Sequence, residues 1–150
     1  MVWSGLMKQK DEAFEKFKSF KDLAENELDH KIKCLSYDRG GGFTSNEFFD
    51  FCEEHGIRRE FSIARTPQQN GVVERMNITV QQMARAMLNE SGAPTTFWGE
   101  ATLAAVVILN KTNVRVNNTQ TPHEIWYGET PSVKHFKIFG SKCYIKNNDE

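Results

Sequence analysis

Cysteine is scarce in this sequence and never closely spaced: Cys34, Cys52 and Cys143 are odd in number and form no C-x-x-C pair. That excludes a disulfide framework and a zinc knuckle, and points to a reducing compartment. Long apolar runs are missing too. No window approaches the roughly eighteen residues that a membrane-spanning helix needs. The opening "MVWSGLMKQKDE" has no basic stretch leading into an apolar one, so neither membrane insertion nor export is expected. The expected setting is intracellular, nuclear or cytoplasmic. His30, His55, His123 and His135 show no H-x-x-x-H spacing, which leaves them at helix ends, turns and surface. Three glycines stand in a row, but there is no G-x-G-x-x-G and no glycine loop closed by Lys-Ser, which argues against a nucleotide cofactor.

What is present suits a soluble globular chain with an ordinary core: 150 residues, 39% hydrophobic and 26% charged. The net charge of −1 hides an asymmetry. Residues 1–55 carry eight Lys and Arg against twelve Asp and Glu, and residues 56–150 carry eleven against eight. Between Arg58 and Arg85 every positive residue is an arginine: Arg58, Arg59, Arg65, Arg75 and Arg85. Arginine suits bidentate phosphate contact, although scattered arginines on a solvated surface are as good a reading of charge alone.

Along the chain, "VWSGLM" reads as a short strand and "KDEAFEKFKSFKDLAENEL" as an amphipathic helix with Phe14, Phe17, Ala24 and Leu28 near helical spacing. "KIKCLSY" alternates as a strand should, ending at Asp38, and Gly40, Gly41 and Gly42 stop it. Thr44 followed by Glu47 predicts a capping box for a helix with Phe48, Phe51 and Cys52 on one stripe, closed by His55-Gly56. "IRREFSI" predicts a second strand. Met76, Val80, Met83 and Met87 then mark the packed stripe of a long helix, with Glu74, Asn77, Gln81 and Arg85 on its opposite side. Pro94 opens a further helix, apolar through Phe97, Trp98, Ala101, Ala104, Ala105, Ile108 and Leu109, expected to be buried. Beyond it Pro122, Gly128, Pro131 and Gly140 break the chain into short pieces, with "FKIFG" and "KCYIK" as candidate strands. Residues 1–112 are expected to form one part and 113–150 its extension.

Two acids stand out by placement. Asp38 falls at the C-terminal end of a predicted strand, and Glu74 on the exposed side of a helix, with 35 residues between them. Such a pair suits a hard divalent cation, which takes oxygen ligands. The residues themselves leave alternatives open: Asp38 as a turn aspartate holding backbone N–H groups, and Glu74 as an ordinary solvated glutamate.

The stretches "YDRGGGFTSNEFFDFCEEHGI", "TPQQNGVVERMN", "FWGEA" and "TPHEIWYGETPSVKHFKIFG", in that order, resemble the integrase catalytic core of copia-type LTR retrotransposons over nearly all of the chain. The resemblance implies an α/β, ribonuclease H-like (integrase/transposase core) fold. It also implies a D, D-35-E carboxylate triad that holds two Mg²⁺ or Mn²⁺ ions for in-line phosphoryl displacement on DNA. By position Asp38 matches the second aspartate and Glu74 the glutamate. Arg65, Gln68, Asn70, Arg75, Asn77 and Gln81 then become candidate nucleic-acid contacts. Several positions depart from the pattern: Arg39 stands for asparagine, Gly42 for glutamate, Met76 for a basic residue and Arg65 for tyrosine. Arg39 beside Asp38 sets a second cation against the metal. The first aspartate of the triad lies upstream of Met1 in the resemblance, and Asp11 does not replace it.

These features predict an N-terminally truncated core whose mixed sheet lacks its first two strands. A polynucleotidyl transferase short of one carboxylate is expected to be inactive alone and to bind DNA weakly. The alternative is a non-catalytic fragment that associates into homo-oligomers through its apolar 97–109 helix and open strand edges.

Overall fold

The computed structural model describes residues 1–37, 42–61, 67–112 and 119–144, with the backbone alone for residues 61 and 67–70. They group into two compact units, Gly5–Arg75 and Met1–Ser4 with Met76–Glu150.

In the first unit helix α1, Glu12–Leu28, is followed by strand β1, Cys34–Tyr37, helix α2, Asn46–Glu54, and strand β2, Arg58–Phe61. Position 21 of the α1 stripe is a lysine, and it is buried. Its ammonium reaches Glu25 Oε2 at 3.0 Å, while Glu25 Oε1 accepts from the backbone N–H of Ile32 at 2.8 Å. One carboxylate thus satisfies the buried cation and fastens the turn into β1. Asp29 ends the helix in the left-handed region, φ 52°, which a short polar side chain tolerates.

β1 and β2 are parallel, in register from Cys34 opposite Arg58 to Tyr37 opposite Phe61. Parallel neighbours need a crossover, and α2 provides it. The helix is capped by Ser45, whose Oγ accepts from Phe48 N at 3.2 Å. The expected Thr44–Glu47 box therefore lies one residue out of register: Glu47 falls in the first turn, where its charge favours the helix N-terminus. At the other end Gly56 N bonds Glu53 O at 3.2 Å and Ile57 N bonds Cys52 O at 2.8 Å, with Gly56 at φ 65°, a Schellman stop. Ile57 then packs with Cys52 in the core.

That core is aromatic. Phe48, fully buried, meets Phe14, Phe17, Tyr37 and Phe43 with ring centroids 5.1–6.1 Å apart. The third glycine of the run belongs to this packing, because a Cβ at Gly42 would stand 3.1 Å from Ala13 Cβ on α1.

Helix α3, Pro67–Ser91, runs from the first unit into the second. There Val80, Ala84 and Leu88, flanked by Met76, Met83 and Met87, pack on Ala101, Ala105, Val106 and Leu109 of helix α4, Trp98–Thr112. The apolar stripe read from the sequence is the packed one. The α4 reading needs correction at its start: residues 95–97 form a 3-10 turn, and Phe97 and Trp98 are exposed. The alanines at 101 and 105 are the fully buried residues, as close helix approach requires small side chains.

Helix α5, Pro122–Tyr127, went unread in the sequence, yet its signals are all there. Thr121 and Glu124 form a complete capping box, Pro122 sits in the first turn, and Gly128 leaves at φ 73°. The expected strand at residues 2–7 does not form. Val2 instead takes its hydrogen bonds from the side chain of Asn110. Neither "FKIFG" nor the described part of "KCYIK" is a strand: Phe139 packs against the α3–α4 core, while Ile138 and Tyr144 are 84% and 91% exposed.

Candidate functional site

Residues three or four apart on a helix share a face. On α3, Glu74, Asn77, Gln81 and Arg85 follow that spacing and all four are exposed; they flank the stripe that packs on α4 rather than lying opposite it, since Asn77 and Gln81 share a cleft with Val80 and α4, and Arg85 reaches Trp98. Glu74 enters no ion pair among the described residues. Arg75 is exposed as well, and its guanidinium folds back along the helix: a Cβ at Gly71 would lie 3.0 Å from Arg75 Nη1. Glycine at 71 leaves the room for that return.

Gln68 and Asn70 lie in the first turn of α3, with their side chains outside the described residues. Asp38 and Arg65 lie outside them altogether; β1 ends at Tyr37, immediately before Asp38 in the chain. Of the predicted site residues, the metal-ligand candidate Glu74 and the candidate contacts Asn77 and Gln81 therefore share one helix face. Among the described residues no three His, Cys, Asp or Glu side chains converge on a point that could hold a metal ion.

The arginine-only stretch divides by use. Arg58 pairs with Glu60 at 3.0 Å, and the Cys34 thiol, then Glu60, hold its guanidinium charged above the ordinary arginine range. Arg59 lies over the Phe49 ring at 4.3 Å and within 3.8 Å of Glu53. Both serve their own unit. Arg85 stands over the ring of Trp98, 5.9 Å from its centroid.

Sequence reasoning missed a cleft of about 260 Å³ bordered by Asn77 and Gln81 of α3, Trp98 of α4 and Trp3 of the N-terminal segment. Val80 and Val106, both buried, also line it. The one available signal was the tryptophan of "FWGEA", read as core because its neighbours are apolar. A second cleft, about 310 Å³, includes Asn110, Lys111, His123 and Glu129. Its polar groups are engaged within the fold: Lys111 Nζ donates to Ser132 O at 3.3 Å, and His123 Nδ1 lies 3.3 Å from Glu129 O.

Comparison with known proteins gives this arrangement its lineage. Residues 2–90 match the family described as the TnsB C-terminal domain. The chain is 38% identical, over 143 residues and 95% of its length, to the retrovirus-related Pol polyprotein from transposon TNT 1-94 of Nicotiana tabacum. It spans only 11% of that polyprotein. Among solved structures, the catalytic core domain of BIV integrase superposes with a TM-score of 0.62 at 24% identity, covering 85% of this chain and 78% of that one. The HTLV-2 integrase catalytic core domain in complex with magnesium gives 0.56 at 25% identity, covering 77% and 70%. The helices and the two-stranded parallel sheet are accordingly an incomplete version of the ribonuclease H-like fold of integrase cores. The chain belongs to the TnsB C-terminal domain family, and its homologues include retrovirus-related Pol polyproteins of plant retrotransposons.

Proposed function

We propose that this chain is a fragment of a retrotransposon integrase core that binds nucleic acid through the polar face of α3 and does not perform strand transfer by itself. The observation that carries the reading is the alignment of Glu74, Asn77, Gln81 and Arg85 on one exposed helix face, in a chain homologous to Pol polyproteins. Arg75 adds a donor on the same helix, and Arg65, Gln68 and Asn70, near in sequence, are further candidate contacts. Carboxamides and guanidinium groups suit phosphate and sugar oxygens, which fix the position of a strand without reading its sequence.

Asp38 and Glu74 are the residues that would hold Mg²⁺ or Mn²⁺, and the donor chemistry fits, since these ions take carboxylate oxygens and keep waters and phosphates in the remaining positions. Glu74 offers an exposed carboxylate engaged in no ion pair among the described residues. A bound cation would supply charge stabilisation to a displaced phosphoryl oxygen. Two carboxylates, with Arg39 next to one of them, make a weaker site than three. Incubated with a labelled DNA end and either Mg²⁺ or Mn²⁺, the 150-residue chain is expected to give no joined product. Metal-dependent joining that is lost in Asp38→Asn and in Glu74→Gln would overturn that part of the reading.

A second role, self-association, is favoured by the exposure of Leu103 and Val107, one turn apart on α4, together with Phe97 before it. The HTLV-2 core relative is described in a trimeric form. Sedimentation velocity on this chain tests the point: a single monomeric species across the accessible concentration range removes the role.

A further inference from the structure

Resting on the nucleic-acid reading above, we infer that the cleft between Trp3 and Trp98 receives an unpaired nucleobase. Its walls have the makeup such a ligand needs. Trp3 and Trp98 are 37% and 38% exposed, so each indole keeps part of its surface available to a planar ring. Trp3 is set by the edge of Trp126, ring centroids 5.8 Å apart and planes at 65°, which fixes its orientation. Val80 and Val106, both buried, add apolar surface to the lining.

Asn77 and Gln81, one helical turn apart, place two carboxamides on the α3 side of the cleft. Each offers a donor and an acceptor, the combination that the edge of a base presents in return. No acidic side chain lines the cleft among the described residues, and Arg85 over Trp98 sets a cation beside it, where the phosphate attached to a seated base would pass. The volume, about 260 Å³, is below the range of drug-sized sites and suits one base rather than a base pair. A base inside a duplex has both faces covered by its neighbours, so the occupant is a single strand or a frayed end.

Affinities of the 150-residue chain are compared by fluorescence anisotropy for a labelled single-stranded oligonucleotide and for the same backbone carrying abasic positions, with tryptophan emission followed in parallel. The inference expects the abasic strand to bind at least fivefold more weakly and the base-bearing strand alone to quench emission. It also expects the Asn77→Ala, Gln81→Ala double variant, folded by circular dichroism, to lose most of that difference. Equal affinity for the two strands, with emission unmoved, would overturn the base site and leave phosphate binding by α3 standing. An undiminished preference in the double variant would overturn it as well. Failure of either strand to bind at low salt would remove the underlying reading together with the cleft.

Discussion

Asn110 and Val2, 108 residues apart, are joined by a reciprocal pair of hydrogen bonds: Val2 N donates to Asn110 Oδ1 at 2.8 Å, and Asn110 Nδ2 donates to Val2 O at 2.7 Å. A buried side-chain amide here does what a neighbouring strand would do for an extended residue. It also holds the segment that carries Trp3 against α4.

Asn110→Leu removes both bonds and leaves two backbone groups of Val2 unmatched. Stability measured by urea unfolding is expected to fall by about 2 kcal/mol. Asn110→Asp keeps the acceptor but, when ionised, turns its second oxygen against Val2 O, so it should recover stability only at low pH, where the protonated carboxyl can donate. A change in Trp3 emission at low denaturant should accompany the first variant.

Phe48 meets five other aromatic rings among the described residues and has no exposed surface. Phe48→Ala should cost about 3–5 kcal/mol, the transfer term plus the cavity left among rings that cannot collapse onto it. Phe48→Leu should recover a good part. Thermal melts of the three proteins give the comparison.

Gly140 combines φ 79° with a Cβ position only 2.4 Å from Ser91 Cβ. Gly140→Ala is therefore strained twice, by backbone and by contact, and should destabilise by roughly 2–3 kcal/mol. Pairing it with Ser91→Gly relieves the contact and not the backbone. The double-mutant cycle should show a favourable coupling, and strict additivity would contradict the geometry.

The Glu25 carboxyl is held below its ordinary value of 4.5, first by the Ile32 N–H and then by Lys21. The folded state thus binds this proton less readily than the unfolded chain. The resulting stabilisation is fully present above pH 4.5 and is lost as the pH falls through the depressed folded value. Glu124, held down by the N–H and hydroxyl of Thr121, adds in the same direction. Acid titration of stability should flatten in Glu25→Gln and again in Glu124→Gln; curves parallel to the parent would contradict these assignments.

The helices and paired strands were legible where periodicity and stop signals agreed. The α3 stripe and the His55-Gly56 stop are examples, and together they placed Glu74, Asn77 and Gln81 on the exposed face before any coordinates. Local pattern misled where a partner decided the outcome. Residues 2–7 read like a short strand, yet Val2 is satisfied by a distant side chain; Lys21 occupies a stripe position that its pairing with Glu25 makes buriable. Thr44 and Ser45 both resemble caps, and one residue of register chose between them. The Trp3–Trp98 cleft was illegible because its walls come from segments that no sequence window joins. Asp38 and Arg65, central to the resemblance, fall outside the described residues.

Engagement of nucleic acid by the polar face of α3 underlies both proposed roles of this helix. It is tested most directly by anisotropy titration of a labelled single-stranded oligonucleotide at about 50 and about 200 mM salt. With two or three phosphates contacted, counterion release predicts a loss of roughly tenfold in affinity between those conditions. Arg75→Ala, Arg85→Ala should lower both the affinity and the salt slope. Absence of binding at the lower salt, or an affinity that salt leaves unchanged, would contradict the account.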